Sequence, residues 1–223
     1  MPTAPTLLVA DDHPLFRDAL RRLVAGFWPA ASVHEAADAD GVFGLAESHP
    51  QADLLLLDLT MPGARGFSVL VHLRAQHPAL PIVMVSARDD AETRRRALEH
   101  GASGFLSKSA TAAEIQATLD GVLAGDPPAL PDARPIGAAE QAVAARVASL
   151  TPAQFRVLSR AAAGLLNKQI AWELGIGEAT VKAHMGAVLD KLGATNRTQA
   201  VLMLGQLGLE PLAALPDDAA IDA

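Results

Sequence analysis

The 223-residue chain is half hydrophobic and carries a formal net charge of −7, enough length and apolar content for two small domains or one larger one. It has no cysteine, which excludes disulfides, thiolate catalysis and Cys-ligated zinc. No apolar run approaches the roughly 18–20 residues of a membrane span, and Met1 to Thr6 lacks the basic and apolar regions of a signal peptide. The expectation is a soluble cytoplasmic protein with no membrane contact.

Thr6–Ala10 (TLLVA) is a short apolar run ending in Asp11 and Asp12. From Pro14 to Ala25 the apolar residues fall at helical spacing, with proline in the first turn. Ser32–Ala36 reads as a weak strand and Asp38 to Ser48 as a helix. Asp53–Leu57 (DLLLL) is apolar without alternation, as a strand covered on both faces requires. Gly66 to Gln76 is helical, Pro81–Val85 a second fully apolar strand, and Asp89 to His100 a helix stopped by Gly101. Gly104–Leu106 is a last short strand and Thr111 to Leu123 a last helix of this region. Five βα units specify an α/β fold, a parallel sheet with helices on both faces.

Prolines at 127, 128, 131 and 135 make Gly125–Gly137 an extended linker. Ala138–Ser149 is alanine-rich and helical. Beyond Thr151 only short helices with glycine breaks occur, and the tail after Pro211 is acidic. The predicted organisation is a first domain at 1–125, a linker at 126–149 with a helical second half, an all-α domain at 150–210 and a flexible acidic tail at 211–223. From Leu150 to Leu209 the basic residues Arg156, Arg160, Lys168, Lys182, Lys191 and Arg197 outnumber the acids Glu173, Glu178 and Asp190. That modest local excess permits phosphate contact despite the acidic whole.

Asp11, Asp12 and Asp58 all follow strands. In a parallel sheet the carboxyl ends of the strands share one edge, where ligand crevices form. If the first and third strands are neighbours, the three carboxylates converge, and their repulsion is relieved by a divalent cation such as Mg²⁺. Asp58 would then be placed for nucleophilic attack on phosphorus. Ser86, after the fourth strand, and Lys108, after the fifth, would face the same phosphate. Singly, an acid pair is a solvated turn, a lysine a surface charge, a serine a cap and Phe105 core. Jointly they fall at the same end of successive strands.

The segments DD (11–12), DLTMPGARG (58–66), VSA (85–87) and GFLSK (104–108) resemble the receiver domain of response regulators over about Thr6 to Gly125. The resemblance implies a flavodoxin-like, five-stranded doubly wound sheet with Asp58 as phosphoacceptor for a sensor histidine kinase. It implies Mg²⁺ or Mn²⁺ held by Asp11 (through water), Asp12, Asp58 and the main-chain carbonyl of Thr60. It makes Ser86 and Phe105 the switch pair and Lys108 the phosphate-binding lysine. Phe105 stands where tyrosine is commoner, and Ser109 where many relatives have proline.

In the second half, Thr151-Pro152 opens a helix. Asn167–Leu174, the turn Gly175-Ile176-Gly177 and Glu178–Leu192 then form a helix-turn-helix, whose second helix enters the major groove. That helix divides into an inward stripe (Val181, Met185, Val188, Leu189, Leu192) and an outward face (Lys182, Ala183, Gly186, Asp190). A further helix, Thr198 to Leu207, offers Val201, Leu202 and Leu204 as dimerisation candidates. LTPAQFRVL and GLLNKQIAWELGIGEATVKAHMGAVLDKLGATNRTQAV resemble the LuxR-type DNA-binding domain over about Leu150 to Gly208. The whole chain is similar to the NarL/FixJ class of response regulators, which implies a phosphorylation-controlled regulator binding double-stranded DNA as a homodimer. DNA contacts would come from Lys168, Thr180, Lys182, Ala183, Gly186 and Arg197.

Gly177 stands where serine usually caps the recognition helix, Leu166 where Ser or Pro precedes Asn-Lys, and Gln154-Phe155 where charged residues are usual. Ala183 and Gly186 replace larger or basic groove-facing residues. Backbone positioning is retained while base readout is sparse. An alternative is therefore an output through protein–protein binding with weak or non-specific DNA binding. A phosphatase of the haloacid dehalogenase class would place a second Asp two residues after the nucleophile. Thr60 is there instead, so action on external substrates is not expected, although Asp58 could hydrolyse its own phosphate.

Overall fold

The computed structural model describes residues 4–63, 66–126 and 136–208. The first half alternates β1 (Thr6–Ala10), α1 (Pro14–Phe27), β2 (Ser32–Ala36), α2 (Ala39–Ser48), β3 (Leu54–Asp58), α3 (Ser68–Gln76), β4 (Ile82–Ser86), α4 (Ala91–Glu99), β5 (Gly104–Ser107) and α5 (Ala112–Ala124). The second half is helical: α6 (Ala138–Ala148), α7 (Pro152–Ala162), α8 (Asn167–Leu174), α9 (Glu178–Leu192) and α10 (Arg197–Gly205). The strands form one parallel sheet in the order β2-β1-β3-β4-β5. β1 and β3 are neighbours, so the condition for the acids to converge is met.

Strand alternation assigns the two faces. Leu7, Val9, Leu54, Leu56, Val83, Val85 and Leu106 pack with Leu20 and Val24 of α1 and Ile115 and Leu119 of α5. Leu8, Ala10, Leu55, Leu57, Ile82, Met84 and Phe105 point the other way, toward α2, α3 and α4. Asp58 and Ser86 are the last residues of β3 and β4 rather than the first residues beyond them. The ladder runs one residue past each apolar run and continues as Leu59 N–H donates to the Val85 carbonyl at 3.0 Å. Gly125, with φ of 82°, closes α5 in the left-handed conformation.

Residues 127–135 of the expected linker and the whole 211–223 tail lie outside the described residues. The second half of the linker is a packed element. α6 lies against α3 and α9, with Val147 fully buried. The apolar cluster beneath α2–α4 runs without a break through Val143, Val147, Leu150 and Phe155 into the helical domain.

At the centre of this junction His72 is fully buried. Its ring stacks on Phe155 at 4.5 Å and meets Phe43 edge-on at 5.3 Å. Polar contacts ring it. Arg160 pairs with Asp40 and Glu173. Glu140 of α6 accepts from Arg96 at 2.6 Å and contacts His100 Nε2 at 2.7 Å. Arg96 also donates to the Gly208 carbonyl at 2.9 Å, and Phe67 N–H to the Leu207 carbonyl at 2.9 Å. The first domain thus grips α6, α7 and the residues that follow α10.

Candidate functional site

The carboxyl ends of β1, β3 and β5 deliver the cluster predicted from sequence. Asp11 and Asp58 are both about 98 % covered. Lys108 Nζ donates to Asp58 Oδ2 at 3.0 Å and lies 2.7 Å from Asp11 Oδ2. Arg17 donates to the Asp11 carbonyl at 2.5 Å, pinning the β1–α1 turn. Thr60, two residues past Asp58, donates its backbone N–H to Asp58 Oδ1 at 3.3 Å. Lys108 is held in place from behind, its N–H bonded to the Ser86 carbonyl at 2.8 Å and its ammonium 5.1 Å from the Phe16 ring centre.

Burial raises the pKa of Asp58, the charge on Asp11 adds to this, and Lys108 and Thr60 oppose it. Burial alone would lower the Lys108 pKa, but hydrogen bonding and charge from Asp11 and Asp58 more than offset it and hold the ammonium above its usual value. The site is therefore an anionic pocket with one internal cation. Asp11, Asp12, Asp58 and His13 each offer a ligand atom, all within 4.8 Å of one another. Asp11 Oδ2 and Asp12 Oδ1 are buried and receive no well-directed hydrogen bond, although Lys108 and His13 lie close by. Hard oxygen donors left short of partners fit a hard divalent cation.

Ser86 is buried at the end of β4, its Oγ accepting from Arg88 N–H at 2.9 Å. Phe105 is turned inward and is buried, with the Arg94 guanidinium 5.2 Å from its ring centre. It lines a cavity of about 210 Å³ with Arg94, Leu98 and Val122.

In the helical domain the faces of α9 separate as the spacing predicts. Val181, Met185, Val188 and Leu192 are buried, whereas Thr180, Lys182, Ala183, Gly186 and Asp190 are exposed. Lys182 pairs with Glu178 at 3.1 Å. Lys168 is exposed on α8, one turn from Trp172, which is 84 % exposed. Nothing within 4 Å would meet a Cβ at Gly186.

Two predicted residues are placed differently. Arg197 is half-buried and braces the domain, donating to Asn167 Oδ1 at 3.1 Å and to the carbonyls of Ala161 and Leu165. These carbonyls close α7 and the turn after it, and they claim the guanidinium that was expected on a phosphate. Leu204 is fully buried in the domain core and offers no surface to a second copy. Val201 and Leu202 are half-buried.

Sequence reasoning passed over His13, Trp172 and the whole junction around His72, Arg96 and Glu140. A single histidine within the apolar stretch SVLVHLRAQ was the one available signal for the junction. Nothing local tells which partner such a residue faces.

Residues 7–120 match the response regulator receiver domain, and residues 148–204 match the bacterial regulatory proteins, luxR family. The glycerol metabolism activator of Pseudomonas putida is 40% identical over 210 residues, covering 90% of this chain and 95% of that protein. The nitrate/nitrite response regulator protein NarL of Escherichia coli is 34% identical over 206 residues, covering 90% and 95%. A LuxR-family two-component response regulator structure from Aurantimonas sp. superimposes with a TM-score of 0.53 at 32% identity, covering 58% of this chain and 92% of that one.

Proposed function

The chain belongs to the NarL/FixJ class of response regulators, DNA-binding regulators of transcription, and from that premise we propose that Asp58 is its phosphoacceptor. The observation that carries this is the buried Asp58 carboxylate held between Asp11 and the Lys108 ammonium at a parallel-sheet edge. A sensor histidine kinase would be the donor. An Asp58 oxygen forms the new bond to phosphorus as the P–N bond to the kinase histidine breaks. Asp11, Asp12, Asp58 and the Thr60 main-chain carbonyl would hold a divalent cation, Mg²⁺ or Mn²⁺, which when bound would supply positive charge beside the transferring group. Lys108 then exchanges its contact with the Asp58 carboxylate for the phosphoryl oxygens, and Ser86 donates its hydroxyl. Attack of water on the phosphorus would break the Asp58 acyl–phosphate bond, releasing inorganic phosphate and the Asp58 carboxylate, and no external substrate is processed. A regulator of this kind works in the cytoplasm.

Support for how the signal reaches DNA comes from what is covered. The outward face of α9 is already exposed, so the docked arrangement does not mask the recognition helix. What the first domain holds is the segment just past α10, Leu207 and Gly208, through Phe67 and Arg96. Phosphorylation would bias the switch residues Ser86 and Phe105, shift α4 with Arg96, and release α10 for pairing with a second copy through Val201 and Leu202. Lys168, Thr180 and Lys182 would contact phosphates, with Ala183 and Gly186 at the base edges.

The small residues at 183 and 186 and the exposed Asp190 favour a second reading, output mainly through protein binding with weak DNA readout. One experiment tests the core. Intact mass and oligomeric state are measured with and without a small-molecule phosphodonor in Mg²⁺, for wild type and Asp58→Ala. A phosphate adduct and dimer present only in wild type are expected. A wild type that stays unmodified refutes the assignment of Asp58. Footprinting of the phosphorylated protein on its own promoters separates the two outputs.

A further inference from the structure

We infer that the first domain supplies the C-terminal cap of α10, through the Arg96 guanidinium and the Phe67 N–H, so that the last turn of this helix is held from across the junction. The inference deepens the proposed release of α10 by naming the groups that hold it. It rests on that reading only for the effect of phosphorylation.

The last carbonyls of a helix have no partner within it and need a cap or water. The N–H groups of Gln206, Leu207 and Gly208 reach back to the carbonyls of Met203, Leu204 and Gly205 at 3.1, 3.2 and 2.9 Å, a tightened turn that carries α10 past Gly205. The next three carbonyls are met by the first domain. Arg96 donates to that of Gln206 at 3.3 Å and to that of Gly208 at 2.9 Å, and Phe67 N–H donates to that of Leu207 at 2.9 Å. The neighbouring helices end differently. Gly175 and Gly193 close α8 and α9 in the left-handed conformation, whereas Gln206, the C-cap residue of α10, is right-handed.

The surroundings aim these donors. The Arg96 side chain is 12% exposed and lies 5.0 Å from the Phe67 ring centre. Glu140 accepts from its Nε at 3.0 Å and its Nη2 at 2.6 Å, which leaves Nη1 for the Gly208 carbonyl. A cation at this point also faces the negative end of the α10 dipole. Gly66 provides the clearance, since a Cβ there would overlap the Leu207 carbonyl oxygen and lie 2.6 Å from Gly208 Cα. Arg96 belongs to α4, so a displacement of α4 removes two of the three bonds together. The last turn of α10 then opens to water, within two turns of Val201 and Leu202.

Amide hydrogen exchange over residues 203–208 of the full, unphosphorylated chain tests this, with β3 and β4 as internal reference. Arg96→Ala should speed exchange at 206–208 about tenfold, with β3 and β4 changed less than about twofold. Gly66→Ala should speed it from the other side of the contact. Glu140→Gln, which keeps an acceptor for Arg96, should leave 206–208 protected. A phosphodonor in Mg²⁺ should reproduce the Arg96→Ala pattern in wild type and not in Asp58→Ala. Unchanged exchange at 206–208 in Arg96→Ala, or a rise spread evenly over the helical domain, overturns the cap. A missing phosphodonor effect with the Arg96→Ala effect intact overturns only the control by Asp58 and leaves the cap standing.

Discussion

Lowering the pH from 7 to 5 should loosen the two halves of the chain from one another by about 2 kcal/mol, with His72 as the cause. Burial is the main reason its pKa falls, from the ordinary 6.5 to about 4, with His77 and Arg156 adding to the effect and the Val147 carbonyl opposing it. Both ring nitrogens lack a well-made hydrogen bond, and the ring is walled by Phe43 and Phe155. A histidine whose pKa is depressed by packing takes up its proton when that packing opens. The stabilisation is therefore complete above about pH 6.5 and is lost as pH falls toward about 4. Over this window each pH unit costs about 1.4 kcal/mol, which gives the figure of about 2 at pH 5. Urea unfolding and small-angle scattering at several pH values, for wild type and His72→Leu, measure it. Wild type should lose stability and expand at pH 5, and His72→Leu should do so far less. The same pH slope in both proteins refutes the reasoning.

Asp58→Asn should raise the melting temperature at pH 7 in metal-free buffer, because the folded pocket raises the Asp58 pKa and the ionised form opposes folding. That gain should shrink as pH falls through the carboxylate range, and a gain that persists in acid argues against the assignment. Arg197→Ala should destabilise the helical domain by about 2 kcal/mol in urea, through lost bonds to the Ala161 and Leu165 carbonyls. Folded variant should keep the wild-type salt dependence of DNA binding, and a slope reduced by about 1 would return Arg197 to the phosphate backbone. Gly186→Ala should stabilise α9 by about 0.5–1 kcal/mol, as its Cβ meets open space. Gly186→Arg should tighten DNA binding and steepen its salt dependence in mobility-shift titrations, and no change would show that this face does not meet DNA.

The acid cluster proposed as the phosphoacceptor site was legible in the sequence as a cluster because its parts sit at the ends of apolar strands. Five such strands imply a parallel sheet, and a parallel sheet aligns their carboxyl ends. Asp11, Asp58, Ser86 and Lys108 followed from that logic. Their distances did not, nor did the inward turn of Phe105, since both depend on how α4 and α5 close over β5. In the helical domain the 3.6-residue period sorted α9 into a buried and an exposed face. The period could not say that Leu204 faces inward or that Arg197 is bound by carbonyls in α7 and the following turn. Those facts are set by contacts 30 or more residues apart in the chain.

The two folds, their order and the exposed face of α9 are written in local periodicity, where hydrophobic spacing matches the geometry of one element, whereas convergence of the acids also needed β1 beside β3. Only the tertiary structure decided what joins the halves. His72, Phe155, Arg96 and Glu140 look locally like core or surface residues of separate domains. They become one junction because the apolar surface of α3 is left open by its own domain and is covered by α6 and α7. Burial between elements far apart in the chain has no period to read.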